Sequence, residues 1–317
     1  MPRPLVLLTQ PIHDTAMRRL EERAVVRVAE DRTEAGLIAA VKDAAALIVR
    51  DPISAAVVKS GENLRVIARH GVGTDYIPID VCTERRIPVT ITPDANSSSV
   101  AEWVIGAMIA LSHRFGIAAR RAREGEWRRR DGLTGFELGG RTLGIVGFGR
   151  IGARVAKMAS VGLGMRVIAF DPMRDRSEIE ATGAVAMSLD EVVGTADVVS
   201  LHVPATPETR RLIDSRKINL MRPGALLINS ARGSLVETDA LVTALADGHI
   251  AGAALDGLEL EPPAATHPLL HFDNVLLTPH SAALTEEALV RMGNTAADEV
   301  LRVLAGQSPL HSVNGRF

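Results

Sequence analysis

Short runs of aliphatic and β-branched residues alternate with amphipathic segments along the first third of the chain. Residues 14–22 and 33–42 carry apolar side chains at helical spacing, whereas the runs around them are mostly apolar. We predict strands at residues 5–8, 24–28, 46–49, 65–68 and 89–91. Strands that alternate with helices are typical of a parallel sheet with helices on both faces, so this part is predicted to form one α/β domain.

A break follows the fifth predicted strand. Residues 92–99 read TPDANSSS, which is rich in turn-forming and helix-capping types. Residues 100–123 are predicted to form one long helix, capped by Ser98 or Ser99, with Glu102 in the first turn where the helix dipole favours an acid. Apolar side chains surround most of this helix, which predicts that it is buried in a core or in a subunit interface.

A second alternating series begins after this helix. Its predicted strands are residues 142–146, 166–170, 197–201, 225–229, 250–255 and 275–277, and a helix is predicted over residues 286–304. The series contains neither a tandem repeat nor a low-complexity segment. With 317 residues, the chain is long enough for two domains.

Composition narrows the possible classes of function. The 36 basic and 38 acidic residues nearly cancel, so the chain has no overall attraction to nucleic acid or to an anionic membrane. The one cysteine, Cys82, excludes an intrachain disulfide and a multi-cysteine metal site, and we predict no bound metal. No apolar run is long enough for a signal peptide core or a membrane span, so we expect a soluble protein of the cytoplasm.

A glycine-rich motif provides the first sign of a ligand. Gly147, Gly149 and Gly152 form a G-x-G-x-x-G pattern that follows a predicted strand and opens a predicted helix. This context is the one that a dinucleotide requires, because the turn must be tight and the helix must pack close to the strand. The backbone amides of Arg150 and Ile151 would then meet the phosphates at the helix N-terminus.

An acid in the expected place supports a dinucleotide. Asp171 lies 19 positions beyond Gly152, at the end of the next predicted strand. Its carboxylate can accept hydrogen bonds from both ribose hydroxyls and would repel a 2′-phosphate, which favours NAD over NADP. Arg174 and Arg176 leave the alternative open, because a nearby arginine can hold that phosphate.

Several sequence blocks resemble the D-isomer-specific 2-hydroxyacid dehydrogenase family, most closely its phosphoglycerate-dehydrogenase-like branch. They read LGIVGFGRIG at residues 143–152, LHVP at 201–204, LINSARG at 227–233, LTPH at 277–280 and, in the first domain, RHGVGTD at 69–75. The blocks occur in the family's order and cover nearly the whole chain.

The resemblance implies two doubly wound parallel-sheet domains with a deep cleft between them. Residues 1–99 and 284–317 would form a flavodoxin-like substrate domain, and residues 100–283 would form a Rossmann NAD-binding domain. It also implies a homodimer that uses the long apolar helix after Ser99 in its interface.

The resemblance also implies a catalytic set of Arg232, Glu261 and His280. Their types suit the reaction, because a substrate carboxylate and keto oxygen match a planar, permanently charged guanidinium. Delivery of a hydride to C2 requires a proton donor that titrates near neutrality, which indicates His280. A carboxylate beside the imidazole, Glu261, would orient it and favour its charged form.

Further cofactor and substrate residues follow from the same resemblance. His202 and Pro204 would flank the adenosine, Ser230 and Ala231 would approach the nicotinamide through backbone groups, and Asp256 would bind the nicotinamide amide. In the first domain, Arg69 with the amides of Val72 and Gly73 would hold the substrate carboxylate and its C3 group, unless Arg69 pairs with an acid such as Asp75.

One departure from the family pattern lies beside the catalytic acid. The family has a β-branched and an aromatic residue after the aspartate, whereas this chain has Gly257 and Leu258. The packing near Glu261 is therefore expected to differ from that of other members.

The expected function is reversible hydride transfer between NAD(H) and C2 of a small D-2-hydroxy acid, such as 3-phosphoglycerate or hydroxypyruvate. The alternative is an NAD(H)-sensing protein without enzymatic activity, since the same fold resembles certain transcriptional corepressors. The chain lacks the long disordered tails and basic arms that such proteins usually need.

Overall fold

The computed structural model describes residues 3–315 and 317, so residues 1, 2 and 316 of the predicted substrate domain lie outside the described residues. The chain divides into two compact units. The first unit comprises Met1–Asn96 and Ala283–Phe317, and the second unit comprises Ser97–Ala282. The boundary lies earlier than the predicted residue 99 because Ser97 already begins a helix of the second unit.

The first unit contains a parallel sheet with the order β2-β1-β3-β4-β5, which is the flavodoxin-like arrangement. Its strands are β1 (Leu5–Leu8), β2 (Val25–Val28), β3 (Ala46–Val49), β4 (Val66–Arg69) and β5 (Val89–Thr90). Its helices are α1 (Asp14–Glu21), α2 (Glu34–Val41), α3 (Ala55–Ser60), α4 (Ile79–Glu84) and, after the second unit, α12 (Glu286–Leu304).

Helices cover both faces of this sheet, which is why its central strands are apolar throughout. Leu7, Leu47 and Ile67 face one way, into a core shared with α2 and α3. Alternate residues such as Val6 and Leu8 face the opposite way, where Ala296 and Val300 of α12 join them. The C-terminal segment also returns to this sheet, since the Val313 amide donates to the Val89 carbonyl oxygen.

The second unit contains a parallel sheet with the order β12-β11-β10-β9-β6-β7-β8, which is a Rossmann arrangement extended by one strand. Its strands are β6 (Thr142–Val146), β7 (Arg166–Phe170), β8 (Val185–Ala186), β9 (Val198–Leu201), β10 (Ala225–Asn229), β11 (Ile250–Asp256) and β12 (Val275–Thr278). Its helices are α5 (Ser97–Ser112), α6 (Phe115–Arg123), α7 (Arg150–Leu163), α8 (Arg176–Glu180), α9 (Leu189–Thr195), α10 (Ser215–Leu220) and α11 (Thr238–Ala246). Two short 3-10 helices lie at Gly233–Leu235 and Pro268–His271.

The prediction of one helix over residues 100–123 is wrong. The structure has two helices, α5 and α6, and Arg114 between them adopts a left-handed conformation with φ of 56°. The Phe136 amide donates to the Ser112 carbonyl oxygen, so an amide of a later loop takes the place of the amide that a continued helix would supply. Ser98 and Ser99 lie inside α5 rather than capping it, because the helix begins at Ser97.

Strand β4 also differs from its prediction, because it ends with Arg69 rather than before it. Val49 of β3 and Arg69 of β4 are register partners, so both lie at the carboxyl edge of the first sheet. Among the described residues, no single helix has both the length and the hydropathy for a membrane span. Only α5 and α6 taken together pass by length and composition, and they are bent by 65°.

Candidate functional site

The carboxyl ends of the second sheet bring the predicted cofactor and catalytic residues to one edge. Val146 pairs in register with Phe170 on one side and with Leu201 on the other. Leu201 pairs with Asn229 of β10, and Asp256 of β11 pairs with Thr278 of β12. The residues that follow these strand ends are the ones that the sequence predicted, and a crevice outside the carboxyl ends is where open α/β sheets bind ligands.

The glycine loop connects β6 to α7 at this edge. Gly147 has φ of 95°, and a Cβ there would lie 2.8 Å from the His202 carbonyl oxygen, so a side chain at this position would be strained and crowded. Gly152 packs against the same turn, since its Cβ would lie 2.2 Å from the Gly147 carbonyl oxygen. Helix α7 then begins at Arg150, with Gly149 as an N-cap that has no side chain to satisfy the first amides. The first amides of a helix are groups from which a phosphate can accept hydrogen bonds.

Asp171 follows β7 and is held by backbone amides. Its Oδ2 accepts a hydrogen bond of 2.7 Å from the Phe148 amide, and its Oδ1 accepts one of 2.8 Å from the Met173 amide. The acid therefore fixes the glycine loop from the side. Arg174 and Arg176 lie within reach of acids one helical turn later, Glu178 and Glu180, at 3.5 Å and 2.7 Å.

Two buried polar atoms at this edge have no hydrogen-bond partner among the described residues, namely Nδ1 of His202 and Oγ of Ser230. The other ring nitrogen of His202 lies 2.9 Å from Ser200 Oγ. Burial lowers the pKa of His202 to about 3, so the ring is neutral at physiological pH. Unpartnered polar atoms beside an uncapped helix N-terminus are what a bound dinucleotide would satisfy, so these residues fit NAD(H).

Pro204 and Ala231 occupy turns at the same edge. Pro204 is exposed, and its carbonyl oxygen accepts a hydrogen bond of 2.7 Å from Thr209 Oγ1. The Ala231 amide donates to Asn229 Oδ1 at 3.0 Å. Ile151, inside the first turn of α7, packs against the core below the glycine loop.

The imidazole and the carboxylate that the sequence predicted as a pair lie together. His280 Nδ1 is 3.2 Å from Glu261 Oε2, and both side chains are about one-third exposed, at 30% and 36%. His280 has a left-handed backbone with φ of 52°, which is unusual for a residue other than glycine. A carboxylate at Nδ1 selects the tautomer that leaves Nε2 as the reacting nitrogen.

Gly257 explains how Glu261 reaches His280. Gly257 has φ of 110°, and a Cβ at this position would lie 2.2 Å from Glu261 Oε1 and 3.7 Å from His280 Nδ1. The carboxylate thus occupies the space that a side chain would fill. The departure from the family pattern noted in the sequence therefore lies in contact with the Glu261 carboxylate and close to His280.

The loop that carries His280 is held by Asp256. This carboxylate is 4% exposed. Its Oδ1 accepts hydrogen bonds from Thr278 Oγ1 at 2.6 Å and from the Ser281 amide at 2.7 Å, and its Oδ2 accepts one from the Ala282 amide at 2.9 Å. Both oxygens of Asp256 thus accept hydrogen bonds within the protein, and the contact with the nicotinamide amide stays a prediction.

Arg232 stands on a turn that Asn229 shapes. Asn229 is 2% exposed, and its amide group donates to the Arg232 carbonyl oxygen at 2.7 Å while its Oδ1 accepts from Ala231. The guanidinium donates to the Ala231 carbonyl oxygen at 2.8 Å and is half-buried. The turn presents this cation at the end of β10, beside the strand that leads to Glu261.

In the first unit, carbonyl oxygens of its own loop and of the end of β3 accept hydrogen bonds from the guanidinium of Arg69. Arg69 is 9% exposed and donates to the carbonyl oxygens of Gly73 and Val49 at 3.0 Å and of Arg50 at 3.1 Å. It also lies 4.9 Å from the centre of the Tyr76 ring. Val72 is 39% exposed at the tip of this loop.

The adjacent strand end carries a second arginine. Arg50 is half-buried and donates to the Pro11 carbonyl oxygen at 2.6 Å. His70 lies beside both cations and is 5% exposed, and this burial together with the two positive charges lowers its pKa to about 3. His70 therefore adds no positive charge to the two arginines at this edge of the first sheet.

A family model for the NAD binding domain of D-isomer specific 2-hydroxyacid dehydrogenases matches residues 105–282, which is more than half of the chain. The chain belongs to this family. A glyoxylate reductase of Thermofilum pendens is 40% identical over 325 aligned positions, which cover 99% of this chain and 95% of that protein. A crystal structure of a protein from Thermus thermophilus superposes with a TM-score of 0.90 at 37% identity, covering 98% of this chain and 99% of that one.

A second kind of relative in the family is longer. A D-3-phosphoglycerate dehydrogenase of Methanocaldococcus jannaschii is 41% identical over 312 residues, which cover 98% of this chain but 59% of that protein. The chain therefore spans about three-fifths of the length of the phosphoglycerate dehydrogenases that it matches.

Some residues of this family site could not be singled out from the sequence. Asn229 reads as the last residue of a buried strand, and only its two hydrogen bonds reveal that it shapes the Arg232 turn. Arg50 follows the apolar strand β3, and Arg69 ends the neighbouring strand β4. The similar positions of the two arginines could have indicated Arg50 as a candidate. The partners of Asp256 lie 22 to 26 positions away and leave no local pattern.

Proposed function

We propose that the protein is an NAD-dependent dehydrogenase that catalyses reversible hydride transfer between NAD(H) and C2 of a small D-2-hydroxy acid. The observation that carries the proposal is the contact of 3.2 Å between His280 Nδ1 and Glu261 Oε2 at the edge of the sheet that bears the glycine loop. An oriented imidazole–carboxylate pair next to a dinucleotide site suits keto-acid reduction, because that reaction needs a proton donor as well as a hydride.

Each catalytic residue has a distinct task. His280 donates a proton from Nε2 to the oxygen at C2 during reduction and takes it back during oxidation. Glu261 holds Nδ1 and stabilises the charge that the imidazolium carries. Arg232 binds the substrate carboxylate and its keto oxygen, which polarises the carbonyl and fixes C2. Bound NADH supplies the hydride in this direction.

The N-terminal turn of α7 would hold the pyrophosphate, with Gly147, Gly149 and Gly152 keeping the approach open and Arg150 and Ile151 offering amides. Asp171 would accept from the ribose hydroxyls. Because Glu178 and Glu180 already face Arg174 and Arg176, we propose that NAD(H) is preferred over NADP(H). Replacing Asp171 by Ala should narrow the difference in kcat/KM between the two cofactors, and equal values in the unmodified protein would contradict the preference.

The substrate is proposed to have three or four carbons with a polar or anionic group at C3, as in hydroxypyruvate or phosphohydroxypyruvate. Two arginines at the carboxyl edge of the first sheet support this choice. Since three carbonyl oxygens already accept from Arg69, this residue with Val72 and Gly73 shapes the loop. The C3 group is assigned to Arg50, which donates to the Pro11 carbonyl oxygen and interacts with the charge of Asp51. Glyoxylate, which lacks C3, would test how much that group contributes.

The decisive experiment follows NADH oxidation with glyoxylate, hydroxypyruvate, phosphohydroxypyruvate, pyruvate and a branched-chain keto acid. His280→Ala should lower kcat on the order of a hundredfold or more while NADH affinity is retained. Glu261→Gln should lower kcat less. If His280→Ala turns over normally, His280 is not the proton donor. If no keto acid is reduced while NADH still binds, the protein is a sensor rather than a dehydrogenase.

We further propose that the first unit binds the substrate and the second unit binds the cofactor. We also propose a homodimer that works in the cytoplasm and uses neither nucleic acid nor a membrane. The dimer proposal rests on large apolar side chains that the second unit leaves exposed, among them Trp127 at 76% and Val161 at 81%.

A further inference from the structure

The loop after β11 packs against the core of the second unit through Leu258, but Glu259 and Leu260, which precede Glu261, are exposed. Leu260, next to Glu261, is 79% exposed and contributes almost nothing to a core. Part of the support comes from the neighbouring turn, because a Cβ on Gly233 would lie 2.1 Å from the Leu258 carbonyl carbon and 2.3 Å from the Glu259 nitrogen. The loop backbone thus rests on the residue that follows Arg232.

An ion pair ties the same loop to a third segment. Arg210 Nη2 lies 2.5 Å from Glu259 Oε1, and the two side chains are 57% and 31% exposed. Glu259 is separated from Glu261 by a single residue, so the ion pair fixes the loop immediately before the catalytic acid. Asp256 fixes the same chain at the other end of the loop.

The segment that carries Arg210 is itself well anchored. The Arg210 amide donates to the Thr206 carbonyl oxygen at 3.0 Å. The amides of Arg211 and Ile213 donate to the carbonyl oxygens of Ser234 and Leu235 at 2.8 Å and 2.9 Å. These acceptors follow Arg232 and Gly233 directly, so the Arg210 segment and the Arg232 turn form one hydrogen-bonded platform.

We propose that Arg210 and Glu259 are positioning residues that hold the Glu261 carboxylate against His280. Neither residue is assigned to substrate or cofactor, and the proposal rests on the function proposed above. An exposed ion pair contributes little to the free energy of unfolding. Its effect is instead local, because only Leu260 separates Glu259 from Glu261 and small displacements of a catalytic group are costly to turnover.

The test compares Arg210→Gln and Glu259→Gln with Arg216→Gln as the matched control. Arg216 forms an ion pair of 2.8 Å with Asp190 in the same unit, with exposed fractions of 60% and 50%, and neither residue belongs to the loop after β11. We expect either loop variant to lower kcat for keto-acid reduction by about tenfold with the NADH dissociation constant unchanged. Arg216→Gln should behave as wild type.

Two further variants separate positioning from a general loss of structure. The double variant Arg210→Gln/Glu259→Gln should be no worse than either single variant, because both remove one interaction. The charge-reversed pair Arg210→Glu/Glu259→Arg should recover most of the lost turnover. Melting temperatures of all variants should stay close to that of the wild type.

A spectroscopic readout makes the test independent of turnover. The proton on His280 Nδ1 should give a downfield resonance because it is bonded to a carboxylate, and Glu261→Gln identifies that resonance by abolishing it. Arg210→Gln should weaken or broaden the resonance, and Arg216→Gln should not. Absence of keto-acid reduction in the wild type would reject the proposed function, and the resonance would still test whether Arg210 and Glu259 position Glu261. A wild-type resonance in Arg210→Gln, or losses in kcat that add up in the double variant, would overturn the positioning role.

Discussion

At the scale of single residues, the absence of a side chain at Gly257 leaves the space that the Glu261 carboxylate occupies beside His280. Its φ of 110° is unfavourable for other residues, and the Glu261 carboxylate lies where a Cβ would be. We predict that Gly257→Ala lowers kcat by about tenfold or more, because the displaced carboxylate no longer orients His280. Steady-state kinetics with NADH and a keto acid would measure the effect.

Gly224→Ala is the control for this variant. Gly224 also has a positive φ, 81°, but a Cβ at this position would meet no atom within 4 Å. The variant should cost about 1 kcal/mol of stability through backbone strain and leave kcat unchanged. If both variants lower kcat equally, or if Gly257→Ala is fully active, the steric account of the site fails.

His70 predicts a dependence of stability on pH. Its pKa is lowered from 6.5 to about 3 in the folded protein, by burial and by the charges of Arg50 and Arg69. Below about pH 6.5 the unfolded chain therefore binds a proton that the folded chain does not, and stability is lost as the pH falls toward 3. The loss approaches about 1.4 kcal/mol per pH unit within that window.

Urea unfolding of the wild type and of His70→Gln between about pH 7 and pH 4.5 would check this. The midpoint of the variant should fall less steeply with decreasing pH, even if its stability near neutral pH is lower. His271→Gln, at an exposed position, should follow the wild type. Parallel pH profiles for wild type and His70→Gln would show that burial of this ring does not control acid sensitivity.

At the scale of elements, the sequence was most informative about the long buried strands. The predicted strands of the central positions, such as 142–146 and 225–229, coincide with β6 and β10 because parallel strands buried on both faces must be apolar throughout. Strand β8 was not predicted because it has two residues and Val185 is exposed, whereas both residues of the equally short β5 are buried. The break at Arg114 was not predicted because a left-handed arginine has no sequence signature. The amide that bonds to the end of α5 belongs to Phe136, which is distant along the chain.

Some residues of the site can be located from local sequence motifs, whereas the contacts that orient them join distant positions of the chain. The glycine motif and the LTPH block encode their own strand-to-loop geometry, so Gly147 and His280 could be located from the sequence. The contacts that orient His280 come from Glu261 and Asp256, which lie on another loop and strand. Long-range hydrogen bonds of this kind are not visible in local spacing, which is why the contacts of Asp256 with the His280 loop were not predicted.

The loop after β12 gives a prediction that separates these two roles of Asp256. Asp256→Asn loses charged hydrogen bonds to Thr278, Ser281 and Ala282, each worth about 1.5–3 kcal/mol. If the carboxylate serves the His280 loop, kcat should fall strongly and the melting temperature should drop, while the NADH dissociation constant changes little. A main effect on NADH binding would instead support the predicted contact of Asp256 with the nicotinamide amide.

Thr278→Val is the matched control for Asp256→Asn. It removes one of the hydrogen bonds that Asp256 Oδ1 accepts and leaves the two backbone amides bonded. A smaller loss of kcat than in Asp256→Asn is expected. An equal or larger loss would place the essential contact on the threonine hydroxyl instead.

At the scale of the whole molecule, each unit has a core of its own and a sheet of its own. The second unit exposes several large apolar side chains. They include Phe115 at 53%, Trp127 at 76% and Val161 at 81%, which lie on helix α6, on the segment that follows it and on α7. Exposed aromatic side chains are typical of protein interfaces, and this pattern is the physical basis of the proposed homodimer.

The dimer yields the last prediction. Light scattering after size exclusion should give about twice the chain mass of 33.8 kDa for the wild type. Phe115→Glu/Trp127→Glu places two charges on the proposed interface and should give a monomer, because buried unpaired charges are costly. Since both side chains are exposed in the single chain, circular dichroism should remain that of a folded protein. Leu310→Glu, at a position 66% exposed in the first unit, should stay dimeric. A wild type that elutes as a monomer would contradict the proposed dimer. A double variant that stays dimeric would show that this surface is not the interface.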